Sequence, residues 1–119
     1  MASILIIDDD PDVLDVLRAA LEDERHAVQT ALTNSEAQAI IHHGGLDLVI
    51  CDAVLETAEC QAVSRGVPLL VVSGDSEKVD RFRRAGVPAL RKPFRPGALI
   101  AIVERLLREA TGRAPWASP

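Results

Sequence analysis

The chain has 119 residues, enough for one domain with its own core and too few for two. Apolar residues make up 48% of it, but aromatics are limited to Phe82, Phe94 and Trp116, so the core has to be aliphatic. The net charge of −5 argues against direct nucleic-acid binding, and no apolar run nears the ~18 residues that span a bilayer. The early run Ile4–Ile7 is too short for a signal-peptide core and has no basic residue ahead of it. A cytoplasmic protein without membrane insertion is expected. Cys51 and Cys60 make no disulfide framework, and Cys51 reads as a small buried hydrophobe.

The elements follow in chain order. Ile4–Ile7 is a continuous aliphatic run, as expected of a strand covered on both faces, and it ends at Asp8, Asp9 and Asp10. Asp10-Pro11 reads as the N-cap and first position of a helix carrying Val13, Leu17, Ala20 and Leu21. Ala27–Leu32 is a second strand. Thr33 with Glu36 forms a capping box, and a helix with Ala37, Ile40 and Ile41 stops at Gly44-Gly45.

Leu48–Cys51 is a third strand ending at Asp52, followed by a short helical segment over Glu56–Arg65. Leu69–Val72 is a fourth strand ending at Ser73-Gly74. A helix through Val79 and Phe82 ends at Gly86, and a brief strand at Ala89–Leu90 leads to Lys92-Pro93. Leu99, Val103, Leu106 and Leu107 mark a last helix. Residues 1–111 are expected to form one domain and 112–119 a flexible tail.

Strands alternating with helices predict an α/β domain with a parallel sheet and right-handed crossovers. Ligands of such sheets bind outside the carboxyl ends of the strands. That rule gathers Asp8, Asp9, Asp52, Ser73 and Lys92 at one rim. Three carboxylates there disfavour one another's ionised forms, and a divalent cation would relieve the repulsion. Oxygen-only donors with room for water suit Mg²⁺, and Lys92 adds a second compensating charge. With an anionic phosphoryl group, a carboxylate nucleophile, a cation, a lysine and a hydroxyl complete the chemistry of an acyl phosphate. Gly74 leaves room beside Ser73.

Charge is uneven along the chain, with 13 acids against 2 bases in residues 1–60 and 5 against 11 in residues 61–119. Most of these charges read as ordinary solvated helix faces, with some of the acids available for a cation site and some of the bases for a docking surface.

The segments "ILIIDDDPDVL", "DLVICD", "PLLVVSGD" and "LRKPF" occur in this order over roughly residues 3–109. Together they resemble the response-regulator receiver domain of bacterial two-component signalling, of the chemotaxis-regulator type. The resemblance implies a flavodoxin-like, doubly wound five-stranded parallel sheet, order 2-1-3-4-5, with helices on both faces. It implies Asp52 as the phosphoacceptor, and Asp8, Asp9 and the backbone carbonyl of Val54 as further Mg²⁺ ligands. Ser73 becomes the switch hydroxyl, Lys92 the phosphate-contacting lysine, and Lys92-Pro93 a cis bond. The implied partners are a histidine kinase or histidine phosphotransfer protein and a downstream protein. The chain would assist its own phosphorylation without turning over a separate substrate.

Two departures stand out. The segment "AVLETAECQAVSRGVP" lacks the family's Asp-Gly pair and is several residues short, so the third helix should be small. Ala89 occupies the position where receivers commonly carry an aromatic that swings inward, so a switch here has to work differently. The family's signalling face maps onto Arg81, Arg84, Ala89, Arg91 and Arg95.

Two rival readings compete with this one. A haloacid-dehalogenase-type phosphatase needs Asp-x-Asp-x-Thr, and Asp8-Asp9-Asp10-Pro11-Asp12 lacks the threonine. A receiver-like interaction module acting without phosphate fits the two departures but leaves the cost of clustered carboxylates unexplained.

Overall fold

The computed structural model describes residues 2–52 and 66–112. Its elements are β1 (Ser3–Ile7), α1 (Pro11–Asp23), β2 (Ala27–Ala31), α2 (Asn34–His43), β3 (Leu48–Asp52), β4 (Leu69–Ser73), α3 (Ser76–Arg84), β5 (Ala89–Arg91) and α4 (Pro96–Gly112). The segment Glu56–Arg65, read as a short helix, and the backbone of Val54 lie outside the described residues.

The strands form one parallel sheet in the order β2-β1-β3-β4-β5, as the resemblance implied. Because successive strand residues face opposite sides, the central strands feed two separate cores. Leu5, Ile7, Val49, Cys51, Leu69 and Val71 pack with Ala37 and Ile41 of α2 and Val79 of α3. Ile4, Ile6, Leu48, Ile50, Leu70 and Val72 pack with Leu14, Leu17 and Leu21 of α1 and Leu99, Val103 and Leu106 of α4. Both cores contain only aliphatic residues and Cys51 among their buried members, as the composition demanded.

The helices start where the sequence places caps. Asp10 accepts from the Asp12 N–H at 2.9 Å, with Pro11 in the first turn, and Thr33 accepts from the Glu36 N–H at 3.2 Å. Gly44 and Gly86 close α2 and α3 at φ of 86° and 83°, a region that side chains avoid.

The buried stripe of α1 is Leu14, Leu17 and Leu21, while Val13 and Ala20 are half-buried. The helical spacing names Leu17 and Leu21, which are buried, but sets Val13 and Ala20 with them and leaves out Leu14. β2 is one residue shorter than read, and Leu32 beyond it is exposed, because β2 is an edge strand with one neighbour. β3 and β4 each run one residue further than read, carrying Asp52 and Ser73 within the sheet. Among the described residues, no helix is long and apolar enough to cross a membrane.

Candidate functional site

The site is built on the carboxyl ends of β1, β3 and β4 and on the loop after β5. Asp8 follows β1 directly, its N–H donating to the Ala31 carbonyl at 3.1 Å, and its carboxylate is buried. Asp8 Oδ1 accepts from the Asp10 N–H at 2.9 Å, so the turn into α1 satisfies one of its oxygens. The second oxygen, Oδ2, accepts from Lys92 Nζ at 2.9 Å. The same ammonium donates to Asp52 Oδ2 at 2.9 Å, bridging two strands that lie next to each other in the sheet.

Asp9, exposed at the rim, completes the group. Carboxylate oxygens of Asp8, Asp9 and Asp52 all lie within 4.8 Å of one another. Lys92 sets its ammonium among these three carboxylates, in contact with two of them. Such a cluster, made only of hard oxygens, could hold a divalent metal ion, and Mg²⁺ fits that donor set.

The electrostatics point the same way. Burial pushes the Asp8 carboxyl above its ordinary value, and the charge of Asp52 adds to that. The Lys92 and Asp10 hydrogen bonds oppose the rise without cancelling it. Burial works to lower the Lys92 ammonium, but its hydrogen bonds and charge interactions with Asp8 and Asp52 more than offset this and hold it above its ordinary value. Asp8 therefore holds its proton, and Lys92 its charge, more tightly than in water, and a cation beside these carboxylates would relieve the cost of ionising them.

Ser73 ends β4 and is buried, its Oγ accepting from the Asp75 N–H at 3.1 Å. Its carbonyl accepts from the Lys92 N–H at 2.8 Å, tying the lysine loop to β4. The Lys92-Pro93 bond is cis. A Cβ on Gly74 would meet nothing within 4 Å, so the space beside Ser73 is open. Next to Lys92, a groove of about 540 Å³ is lined by Asp12, Val13, Val16, Leu17, Pro93 and Phe94. Val16 stands 61% exposed there.

Of the residues read as a signalling face, Arg81 and Arg84 are exposed and line an open groove with Glu77 and Ala85, while Arg91 and Arg95 are exposed beyond it. Ala89 does not belong with them. Its side chain is 3% exposed and packs in the core beneath α3, because the strand turns alternate residues to opposite faces.

Some residues escaped the sequence reading. Asp75 caps α3 by accepting from the Glu77 N–H at 2.9 Å, and the pattern Asp75-Ser76-Glu77 beside Asp10-Pro11-Asp12 was an available signal. Arg83 donates from Nε and Nη2 to the Ala89 carbonyl, at 3.1 and 2.9 Å. His26 accepts from the Ala2 N–H at 3.2 Å, and its Nε2 lies 3.4 Å from Glu104 Oε1. Nothing local distinguishes Arg83 from the arginines around it.

Comparison with known proteins agrees with this geometry. The family model of the response regulator receiver domain matches residues 4–104. The regulatory protein VanR of Enterococcus faecium is 32% identical over 114 residues, covering 88% of this chain and 49% of VanR. The DNA-binding dual master transcriptional regulator RpaA of Synechocystis sp. is 32% identical over 130 residues, covering 99% of this chain and 54% of RpaA. The chain thus spans about half the length of these two relatives. Among solved structures, a CheY-like response regulator receiver domain protein from Methanospirillum hungatei superposes with a TM-score of 0.80 at 27% identity, covering 96% of this chain and 99% of that one. NtrX from Brucella abortus superposes with a TM-score of 0.81 at 30% identity, over 92% of this chain and 26% of NtrX. With the acidic rim, the bridging lysine and the sheet order in place, the chain belongs to the response regulator receiver domain family of two-component systems.

Proposed function

We propose that this receiver domain accepts a phosphoryl group on Asp52 from a phosphohistidine donor, a histidine kinase or histidine phosphotransfer protein, and that the modification alters its binding to a downstream protein. The observation that carries the reading is Lys92 Nζ, 2.9 Å from both Asp8 and Asp52 in a rim where the Asp9 carboxylate also converges. Asp8, Asp9 and Asp52 would hold Mg²⁺, with the Val54 carbonyl, which lies outside the described residues, as a further ligand. The ion would supply charge neutralisation at the phosphoryl oxygens.

In the transfer, an Asp52 oxygen forms the new P–O bond as the donor's P–N bond breaks. The electron pair of that bond returns to the imidazole nitrogen, which takes up a proton. Lys92 moves from its present carboxylate partners toward a phosphoryl oxygen, and the Ser73 hydroxyl donates to another. The apolar groove beside Lys92, with Val16 exposed in it, gives a donor helix a surface within reach of the rim. The chain acts on itself, with no separate substrate to turn over, and works in the cytoplasm, where such donors operate. Arg81, Arg84, Arg91 and Arg95 form the face that contacts an acidic protein partner. What RpaA's name says of DNA belongs to RpaA, of which this chain spans 54%.

A second reading, an interaction module that needs no phosphate, draws on the ion pairs that Lys92 already makes within the protein. Intact mass after incubation with acetyl phosphate and Mg²⁺ separates the two. A phosphoryl adduct on the wild type that is absent from Asp52→Asn supports phosphoacceptor chemistry. No adduct, with a cognate kinase also failing to label the protein, supports the second reading.

A further inference from the structure

Ala89 puts a small, buried side chain on β5, and α3 and β5 are joined through the backbone beside it. β5 is an edge strand. The Pro88 carbonyl accepts from the Val71 N–H of β4, and Lys92 donates back to Ser73, so the intervening Ala89 carbonyl faces away from the sheet. An outward carbonyl on an edge strand has no strand partner. Here it accepts both Nε and Nη2 of Arg83, at 3.1 and 2.9 Å. The guanidinium sits in the last turn of α3, where a cation also complements the helix dipole.

α3 is pinned at both ends and lightly in between. At its start, Ser73 Oγ accepts from the Asp75 N–H and Asp75 caps Glu77. At its end stand the Arg83 clasp and the Gly86 turn, in which Val87 donates to the Phe82 carbonyl at 2.9 Å. Between them the one buried residue is Val79, with Phe82 partly buried. A phosphoryl group that drew the Ser73 hydroxyl would remove the acceptor of the Asp75 N–H and free only the first end.

We propose that Arg83, clasped to the Ala89 carbonyl, is the fulcrum on which α3 tilts when Ser73 releases Asp75. This rests on the phosphorylation reading above for its trigger, but not for its geometry. The residues that move are those at the start of the helix, from Asp75 to Val79. Arg81 and Arg84 stay close to the fulcrum, so the basic groove turns without dissolving. Arg83 is a positioning residue and touches neither the phosphoryl group nor a metal.

Two arms test this by amide NMR on the whole chain. Ser73→Ala removes the acceptor without any phosphoryl group. Hydrogen-exchange protection is expected to fall several-fold at residues 76–80 and to hold at 83–87. In Ser73→Ala/Arg83→Met, which keeps an apolar stem but no donors, the loss spreads to both ends. Arg83→Lys, with one donor group, restores part of the difference, and Arg84→Met leaves the single-variant pattern unchanged. Equal loss along α3 in Ser73→Ala, or an Arg83→Met background that behaves as wild type, overturns the fulcrum. The second arm adds beryllofluoride and Mg²⁺ as a phosphoryl probe. Shifts confined to the start of α3, and extended by Arg83→Met, support the trigger. No response at Asp52 and Lys92, with the first arm intact, overturns the phosphoryl reading and leaves the fulcrum standing.

Discussion

The junctions β1–α1 and β4–α3 are built on one plan. A buried polar residue stands at each strand end, Asp8 just after β1 and Ser73 as the last residue of β4, and its side chain accepts from the N–H two residues on. In each, that next residue is an aspartate, Asp10 or Asp75, which caps the helix by accepting from the N–H two further on, at 2.9 Å in both. Above the cap the two diverge. Asp8 is charged and bound by Lys92, and α1 buries Leu14, Leu17 and Leu21. Ser73 is neutral, and α3 buries Val79 alone. Equal local geometry thus carries unequal tertiary anchoring. The first junction serves as fixed scaffold for the acidic rim, and the second is free to yield.

The contrast is sharpest in the helix cores. Leu21→Ala in α1 removes a side chain with no exposed surface and should cost about 2–5 kcal/mol in urea unfolding. Val79→Ala in α3 should cost about 1–2 kcal/mol by the area it withdraws from the core. Equal losses would break the comparison.

Mg²⁺ probes the charged junction. At about 100 times its Kd it should stabilise the wild type by about 2.7 kcal/mol, read as a rise in melting temperature. Asp9→Ala should abolish the rise while leaving the metal-free protein as stable or slightly more so, since Asp9 is exposed and its charge adds to the repulsion at the rim. An undiminished Mg²⁺ response in that variant would remove Asp9 from the cation site.

Lys92→Met strips the buried Asp8 carboxylate of its cation and should cost about 1–3 kcal/mol at neutral pH, Lys92 itself being partly exposed. The pH dependence has a defined sign. The raised Asp8 value means the folded protein holds that proton more tightly than the unfolded chain does. Stability therefore falls as pH climbs from about the unfolded value (~3.9) through the folded one. Without Lys92 that fall should deepen, so the variant should recover stability toward acid. The raised Lys92 value acts at the other end. Its contribution is complete below ~10.4 and is lost as pH rises through the folded value above it. Urea unfolding across pH, on both proteins, reads both limbs.

The smallest effects belong to the caps. Asp10→Ala and Asp75→Ala should each cost about 1 kcal/mol. The former should appear in global unfolding. The latter should appear mainly as faster exchange within α3, because a helix with one buried residue opens on its own. Two global effects of the same size would mean that α3 is as firmly docked as α1.

Much of this was readable along the chain. Ile4–Ile7, Leu48–Cys51 and Leu69–Val72 announce buried parallel strands through unbroken aliphatic runs. Asp10-Pro11, Thr33 and Gly86 mark helix ends through chemistry confined to a few neighbouring residues. The rim could be assembled from Asp8, Asp9, Asp52, Ser73 and Lys92 because a parallel sheet brings every strand's carboxyl end to one side. What failed was finer. Val13 and Leu14 both fit a helical period in α1, and only packing against β1 and α4 chooses Leu14. Ala89 falls among exposed arginines by the family resemblance, which carries over a position and not the burial of the small residue that fills it here.

By itself, then, the amino-acid order determined the alternation of strands and helices, their caps, and the set of charged residues that a parallel sheet would collect. These depend on backbone preference and on apolar period, which act over one or two turns. Only the tertiary structure decided that one ammonium bridges Asp8 and Asp52, that Arg83 and not Arg81 or Arg84 finds the Ala89 carbonyl, and that two like-built junctions are held so differently. Those outcomes join residues distant along the chain or choose among chemically identical neighbours, and only the packed sheet brings the deciding partners within reach.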